Sequence, residues 1–230
     1  MNSKEYQLTP DIIVRIVKRK KSRRIKITLE PNGGVRVSIP YYVPYQMGVS
    51  FAKSKIDWIN EKRIIPKSIS DFEQVGKSHR LEFLEGKGDR VTTKVIDQII
   101  KIFIPTNLDH SHPQVQEAAK KASKKALSKE AIILIPQRVE YLANKNNFDY
   151  SSVNVKFTKS RWGSCDNKKN LIFNPNLMNL QWDLIDYVII HELSHTKAMH
   201  HGSEFWDEVQ RVIPNYKEQR KRLKEIRDNL

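Results

Sequence analysis

Four of the seven histidines in this 230-residue chain fall between positions 191 and 201, inside the stretch WDLIDYVIIHELSHTKAMHHGSEFW that runs from Trp182 to Trp206. His191, Glu192 and His195 form His-Glu-x-x-His directly after an apolar run ending in Ile190. On a helix, residues four apart lie roughly 40° apart around the axis and about 6 Å apart along it, so both imidazoles can reach one cation from one face. Glu192 stands beside the first histidine, where its carboxylate can touch a water on that cation without ligating it. Zinc lowers the pKa of such a water to about 7, and the glutamate can take its proton and later pass it to a leaving group.

A catalytic zinc site has three protein ligands and one open position, so a third donor is needed. His201 is the first candidate. On a continuing straight helix it would lie about 9 Å beyond His195, too far for bonds of about 2 Å. The helix is therefore expected to end between Thr196 and His200, with the chain turning back and Gly202 easing the turn. Glu204 or Glu208 on a later helix are the alternative donors, and His200 is expected to be a neighbour of the site. The spacing of His191, His195 and His201 equals that of the metzincins, but Ala198 replaces their glycine and no methionine follows Met199 to make a Met-turn. A bare His-Glu-x-x-His also arises by chance. The apolar helix before it and the aromatic pair Phe205 and Trp206 after it strengthen the metal reading.

Together with SRWGSC at Ser160 to Cys165, LIFNPNL at Leu171 to Leu177, IDYVIIHELSH and HHGSEFW, the chain resembles the YgjP-like zinc metallopeptidases, a zincin-like group, over nearly its whole length. The resemblance implies a zinc hydrolase with one Zn2+ per chain, His191, His195 and His201 as ligands and Glu192 as catalytic base.

Several elements must position these groups. Asn179 or a neighbour is expected to cap the metal helix, with Asp183 and Asp186 in its early turns and Ile185, Ile189 and Leu193 as its buried stripe. Val153, Val155 and Phe157 alternate, as do Leu171 and Phe173, so two short strands should flank SRWGSC. An extended peptide can add to the edge of such strands, its backbone hydrogen bonds aligning the scissile carbonyl with the metal. That places Arg161, Trp162 and Ser164 near substrate, with Arg161 either stabilising a developing oxyanion or held in a structural ion pair. Cys165 reads as a small buried residue. Val209 and Val212 continue the core until Pro214; Asn215 and Glu218 then have capping-box spacing for a last helix contacting the core through Leu223 and Ile226.

Earlier in the chain, Ile25, Ile27 and Leu29 alternate, Pro31 to Gly34 make a turn, and Val35, Val37 and Ile39 alternate back, within a hairpin pattern from Ile12 to Ile39. Pro44 to Lys62 reads as one helix with Met47, Phe51, Trp58 and Ile59 on its inner side and Pro66 as its stop. Strands are expected at Arg80 to Leu84, Arg90 to Ile96 and Ile99 to Ile104. PTNLDHSHP, Pro105 to Pro113, is the expected boundary. Helices follow over Val115 to Ala126 and Ile132 to Ala143, the latter packing behind the metal helix and kinked or restarted at Pro136. The fold class is α+β: a small antiparallel β-rich N-terminal domain, 1–108, then a mainly helical zincin-like domain with a short sheet, 109–230.

Hydrophobic residues make up 39% of the chain, enough to bury a real core. One cysteine excludes an intramolecular disulfide and points to a reducing cytoplasm. The first thirty residues lack an apolar segment of the signal-peptide kind, and no apolar run is long enough for a membrane span. The net charge of +15 attracts anions. Six of the seven residues in KRKKSRR, Lys18 to Arg24, are cationic, either as a solvated strand end or as a surface for nucleic acid or nucleotide phosphates. Three functions compete: a zinc peptidase acting on a peptide or protein substrate, a metal-dependent nucleoside triphosphate hydrolase on the same site, and a nucleic-acid adaptor with a structural zinc. Glu192 weakens the last, since a purely structural site needs no base.

Overall fold

In the computed structural model, which describes residues 3–9, 12–30, 33–63 and 68–228 (227 and 228 by their backbone alone), the chain forms two compact units, Met1–Ser68 and Ile69–Leu230. The class is α+β, as expected.

The first unit is a four-stranded sheet in the order β1-β2-β4-β3, formed by β1 (Ser3–Thr9), β2 (Ile12–Arg19), β3 (Lys26–Leu29) and β4 (Val35–Pro40). Its core comes from alternate residues, Ile12, Val14 and Ile16 on β2 and Val35, Val37 and Ile39 on β4. The β3–β4 hairpin forms with Ile27 opposite Val37, closed by the Glu30 N–H on the Gly34 carbonyl at 2.8 Å. Pro31 and Asn32 of the expected turn lie outside the described residues. β2 runs parallel to β4, so the sheet is mixed where an antiparallel one was expected. Alternation reports which face is buried and says nothing of strand direction.

The single helix expected over Pro44 to Lys62 is two, α1 (Tyr45–Lys53) and α2 (Ile56–Lys62). At the break the Ser54 hydroxyl bonds back to the Phe51 carbonyl at 2.9 Å, a local alternative to continuing the helix. Gly48, Val49, Ala52 and Ile59 are buried, whereas Met47 and Trp58 are 55% and 43% exposed, against the expected inner face. Pro66 lies outside the described residues. In the KRKKSRR run, Lys18 donates to the Tyr41 carbonyl at 3.0 Å and lies 5.0 Å over the Tyr45 ring, while the other five cations are exposed.

In the second unit β5 (Gln74–Val75), β6 (His79–Glu85), β7 (Thr92–Ile96) and β8 (Ile99–Ile104) make a mixed sheet in the order β5-β6-β8-β7. Leu81, Ile100 and Ile102 share one core with Val115 and Ala119 of α3 (Pro113–Asn146). The compact units therefore divide at Ser68 and Ile69, ahead of the expected boundary at Leu108 and Asp109. PTNLDHSHP is a turn into α3, in which His112 accepts the Gln114 N–H at 3.3 Å as helix cap. α3 is one helix through Pro136, so the two helices expected over Val115 to Ala126 and Ile132 to Ala143 are continuous and the chain does not restart at the proline. Ala131, Ile135 and Val139 are buried on either side of the proline, and Ile132, whose carbonyl loses its partner, lies on the solvent face.

α3 also anchors the turn between β5 and β6. The buried Glu130 carboxylate accepts the Lys77 and Ser78 N–H groups at 2.7 and 2.9 Å and meets His79 Nδ1 at 2.6 Å. Gly76 permits this by adopting a left-handed φ of 68°. A Cβ there would lie 2.1 Å from the carboxylate. The Gly76 N–H donates to Asn179 Oδ1 at 2.9 Å.

The rest of the unit is a second mixed sheet, order β10-β11-β9, from β9 (Ser152–Val155), β10 (Gly163–Cys165) and β11 (Asn170–Phe173), then a 3₁₀ turn over Pro175–Asn179 and the helices α4 (Trp182–Ser194), α5 (Ser203–Val212) and α6 (Tyr216–Asp228). Phe157 falls beyond β9 and is 38% exposed.

Candidate metal centre

α4 carries the first two histidines, and three contacts fix its place. Its stripe of Ile185, Ile189 and Leu193 is fully buried, as expected. Asp186 takes a bidentate grip from Arg138 of α3 at 2.7 and 2.6 Å. Asp183 accepts the Leu184 N–H at 2.9 Å and pairs with Arg222 of α6. The expected cap is not formed: Gln181 precedes α4 without a capping bond and accepts from Arg222 instead, while Asn179, two residues earlier, accepts the Gly76 N–H.

The helix ends at Ser194, slightly before the expected interval. Thr196 supplies the stop, its N–H and hydroxyl both donating to the Leu193 carbonyl at 2.9 and 2.7 Å. The chain then turns back and brings His201 to the pair on α4. Gly202 has an ordinary φ of −79°, and a Cβ there would meet open space, so the turn does not depend on that glycine.

One ligating atom from each of His191, His195 and His201 falls in a group whose members lie within 4.8 Å of one another. The Nε2 atoms of His191 and His201 are 3.2 Å apart. Two nitrogens at zinc bond lengths in tetrahedral geometry stand about 3.3 Å apart, so the observed pair fits a shared ion. His195 Nδ1 faces the Ala198 carbonyl at 3.2 Å, which leaves Nε2 for a cation. His191 Nδ1 is buried without a partner among the described residues, and its ring is held by packing instead. Phe205, fully buried on α5, contacts all three imidazoles with centroids 4.9, 4.5 and 4.6 Å away. Trp206 stacks on His201 at 5.7 Å and on Tyr216 at 5.1 Å. Of the alternative donors, Glu208 is engaged by Lys197 and Arg211 at 3.1 and 2.9 Å, and neither it nor Glu204 joins the imidazole group. His200 is exposed and outside the group too.

Loss of solvent lowers the pKa of all three imidazoles, and for His191, the most deeply packed, burial pushes it down to about 3, with the neighbouring histidines and Arg220 adding to the effect. Neutral imidazole is the form that donates to a metal.

Glu192 is 6% exposed and forms no hydrogen bond among the described residues. Burial lifts its pKa to about 8, opposed by the charge of Arg161. Arg161 is itself exposed and joins no ion pair among the described residues, which leaves its guanidinium free. The Cys165 thiol is pushed up to about 11 by burial and then by Glu192, so it is protonated at neutral pH and no nucleophile.

The contact that sequence reading missed is between Glu192 and Gly163. A Cβ on Gly163 would sit 2.7 Å from Glu192 Cγ and 2.9 Å from Oε1, so β10 approaches the carboxylate as only a glycine allows. Gly163→Ala should therefore displace the carboxylate and lower kcat by about 10- to 100-fold, since small misplacements at reacting groups are costly. Metal content measured on the same sample should be unchanged, because the three atoms nearest the added Cβ all belong to Glu192.

A second expectation concerns the metal-free protein. Glu192 binds its proton more tightly folded than unfolded, so its contribution to stability is complete below the unfolded value of 4.5 and is lost as pH rises through about 8. Melting temperatures of the metal-free wild type should fall relative to Glu192→Gln between pH 5 and 8; parallel curves would show that the carboxyl does not titrate there.

Residues 23–226 match the family described as YgjP-like, metallopeptidase domain. No curated protein matches the sequence. Among solved structures, the metallopeptidase zymogen abylysin of Pyrococcus abyssi is 26% identical over 39% of this chain and 91% of its own, with a TM-score of 0.37. The metallopeptidase zymogen jannalysin of Methanocaldococcus jannaschii is 24% identical over 42% of this chain and 97% of its own, with a TM-score of 0.34.

Proposed function

The chain belongs to the YgjP-like metallopeptidase family, and from that premise we propose that it hydrolyses peptide bonds at a single zinc ion held by His191, His195 and His201, with Glu192 as general base. The observation that carries this reading is the convergence of three imidazoles beside a buried carboxylate that forms no other bond among the described residues. Imidazole donors suit zinc, and three of them leave a fourth position open. When bound, the ion supplies Lewis acidity that acidifies water and polarises a carbonyl.

The chain's own groups do the rest. Glu192 accepts the proton of the attacking water and returns it to the departing amine. Arg161 is close enough for its charge to act on Glu192 and offers a cation to the developing oxyanion. β10 is an edge strand, with β11 on one side only, so an extended substrate can pair with its other side and pass alongside Glu192. Phe205 locks the imidazoles in place, which pre-organises the site.

Zinc-loaded protein incubated with an unfolded casein-like chain, and separately with nucleoside triphosphates, tests the reading. Cleavage of the polypeptide is expected. Turnover of triphosphates alone would overturn it.

A further inference from the structure

Beside the metal centre lies a cavity of about 660 Å³ whose wall is one face of α6. Lys217, Arg220, Lys221 and Lys224 line it at helical positions i, i+3, i+4 and i+7, and all four are exposed. Among the described residues no carboxylate pairs with any of them. The paired arginine of this helix, Arg222, is engaged elsewhere, on Asp183 and Gln181. Like charges at this spacing destabilise a helix, so the clustering works against the fold unless an anion joins it. The floor is aromatic, from Trp162 and Tyr187.

Three contacts tie this cavity to the reacting groups. Trp162 immediately precedes Gly163, which lies against Glu192. The Tyr187 ring is 6.0 Å from that of His191. Arg220 lies 4.9 Å over Trp206, which stacks on His201. An extended chain advances about 3.4 Å per residue, so a peptide lying along β10 reaches the cavity within a few residues of its scissile bond.

We propose that the cavity between α6, Trp162 and Tyr187 binds a carboxylate of the peptide substrate, making the enzyme selective for acidic peptides cut near an acidic side chain or near a free C-terminus. This rests on the peptidase reading above. The lining favours a carboxylate over a polyphosphate because it is built of side chains around an apolar floor, with no glycine-rich loop of N–H groups to cradle phosphates. The anion sits among the lysine ammonium groups while the stem that carries it lies on the two rings.

The test measures binding, by fluorescence anisotropy, of three versions of one unstructured labelled peptide to zinc-loaded Glu192→Gln protein at moderate salt. One version carries glutamate and an amidated end, one glutamine and an amidated end, and one glutamine and a free C-terminal carboxylate. At least one carboxylate version should bind about tenfold tighter than the neutral one, and the arm that does so identifies the source. Adding Lys217→Glu and Lys221→Glu should abolish the preference. Adding Lys121→Glu and Lys125→Glu, exposed lysines of α3 with the same change in charge, should preserve it. Equal binding of all three peptides, or equal loss in both charge-reversed proteins, would overturn the subsite. Hydrolysis by the wild type is read separately. Preference without cleavage of any peptide would remove the peptidase reading and keep the carboxylate site, whereas cleavage without preference would do the reverse.

Discussion

Glu192→Gln should lower turnover of an unfolded polypeptide by about 10²- to 10⁴-fold, the range expected when a general base is lost, and leave zinc binding intact. Glutamine has nearly the same shape and occupies the same space against Gly163, so neither packing nor the imidazole group changes. It cannot accept a proton from water. The carboxylate is well placed for that task because it is 6% exposed and is bonded to nothing else among the described residues. The measurement is kcat with metal content determined on the same preparation. A variant that kept wild-type kcat would remove Glu192 from the chemistry, and one that lost its metal would make it a structural support of the site.

The second large effect is on the metal. His201→Ala should weaken zinc binding by about 10²- to 10³-fold, if apparent affinities of about 10 to 16 kcal/mol are shared among four ligands. His201 is the informative choice of the three because it is exposed, whereas His191 is packed among Tyr187, Phe205 and Trp206. Its removal leaves the core intact and the metal-free melting temperature close to that of the wild type. The rise in melting temperature that zinc produces by mass action in the wild type should shrink accordingly. An undiminished rise would assign the third position to another donor.

What could be read from the chain alone follows from the range over which residues interact. His191, Glu192 and His195 share one helix, and His201 follows after a short return, so their convergence is written in local spacing. The contact of Gly163 with Glu192 is not local, and a glycine carries no side chain to announce it; the nearest signal was the position of Gly163 inside SRWGSC. The Glu130 clasp is hidden for a related reason. Its carboxylate lies in a lysine- and alanine-rich helix that reads as a solvated face, and only folding brings the β5–β6 turn onto it. Most strand positions were legible from alternation, although β1 and β5 went unread, and strand directions were not legible, so β2 beside β4 and β6 beside β8 proved parallel. Likewise, the turn residues between Pro105 and Pro113 marked a real change of direction, while the core shared by Leu81, Ile100 and Val115 runs across it.

X-ray absorption at the zinc edge of the loaded protein tests the central claim most directly. The expected spectrum fits three imidazole nitrogens at about 2.0–2.1 Å and one further light atom, with one imidazole lost in His201→Ala. A wild-type spectrum with fewer than three imidazoles, or one that His201→Ala leaves unchanged, would contradict the account.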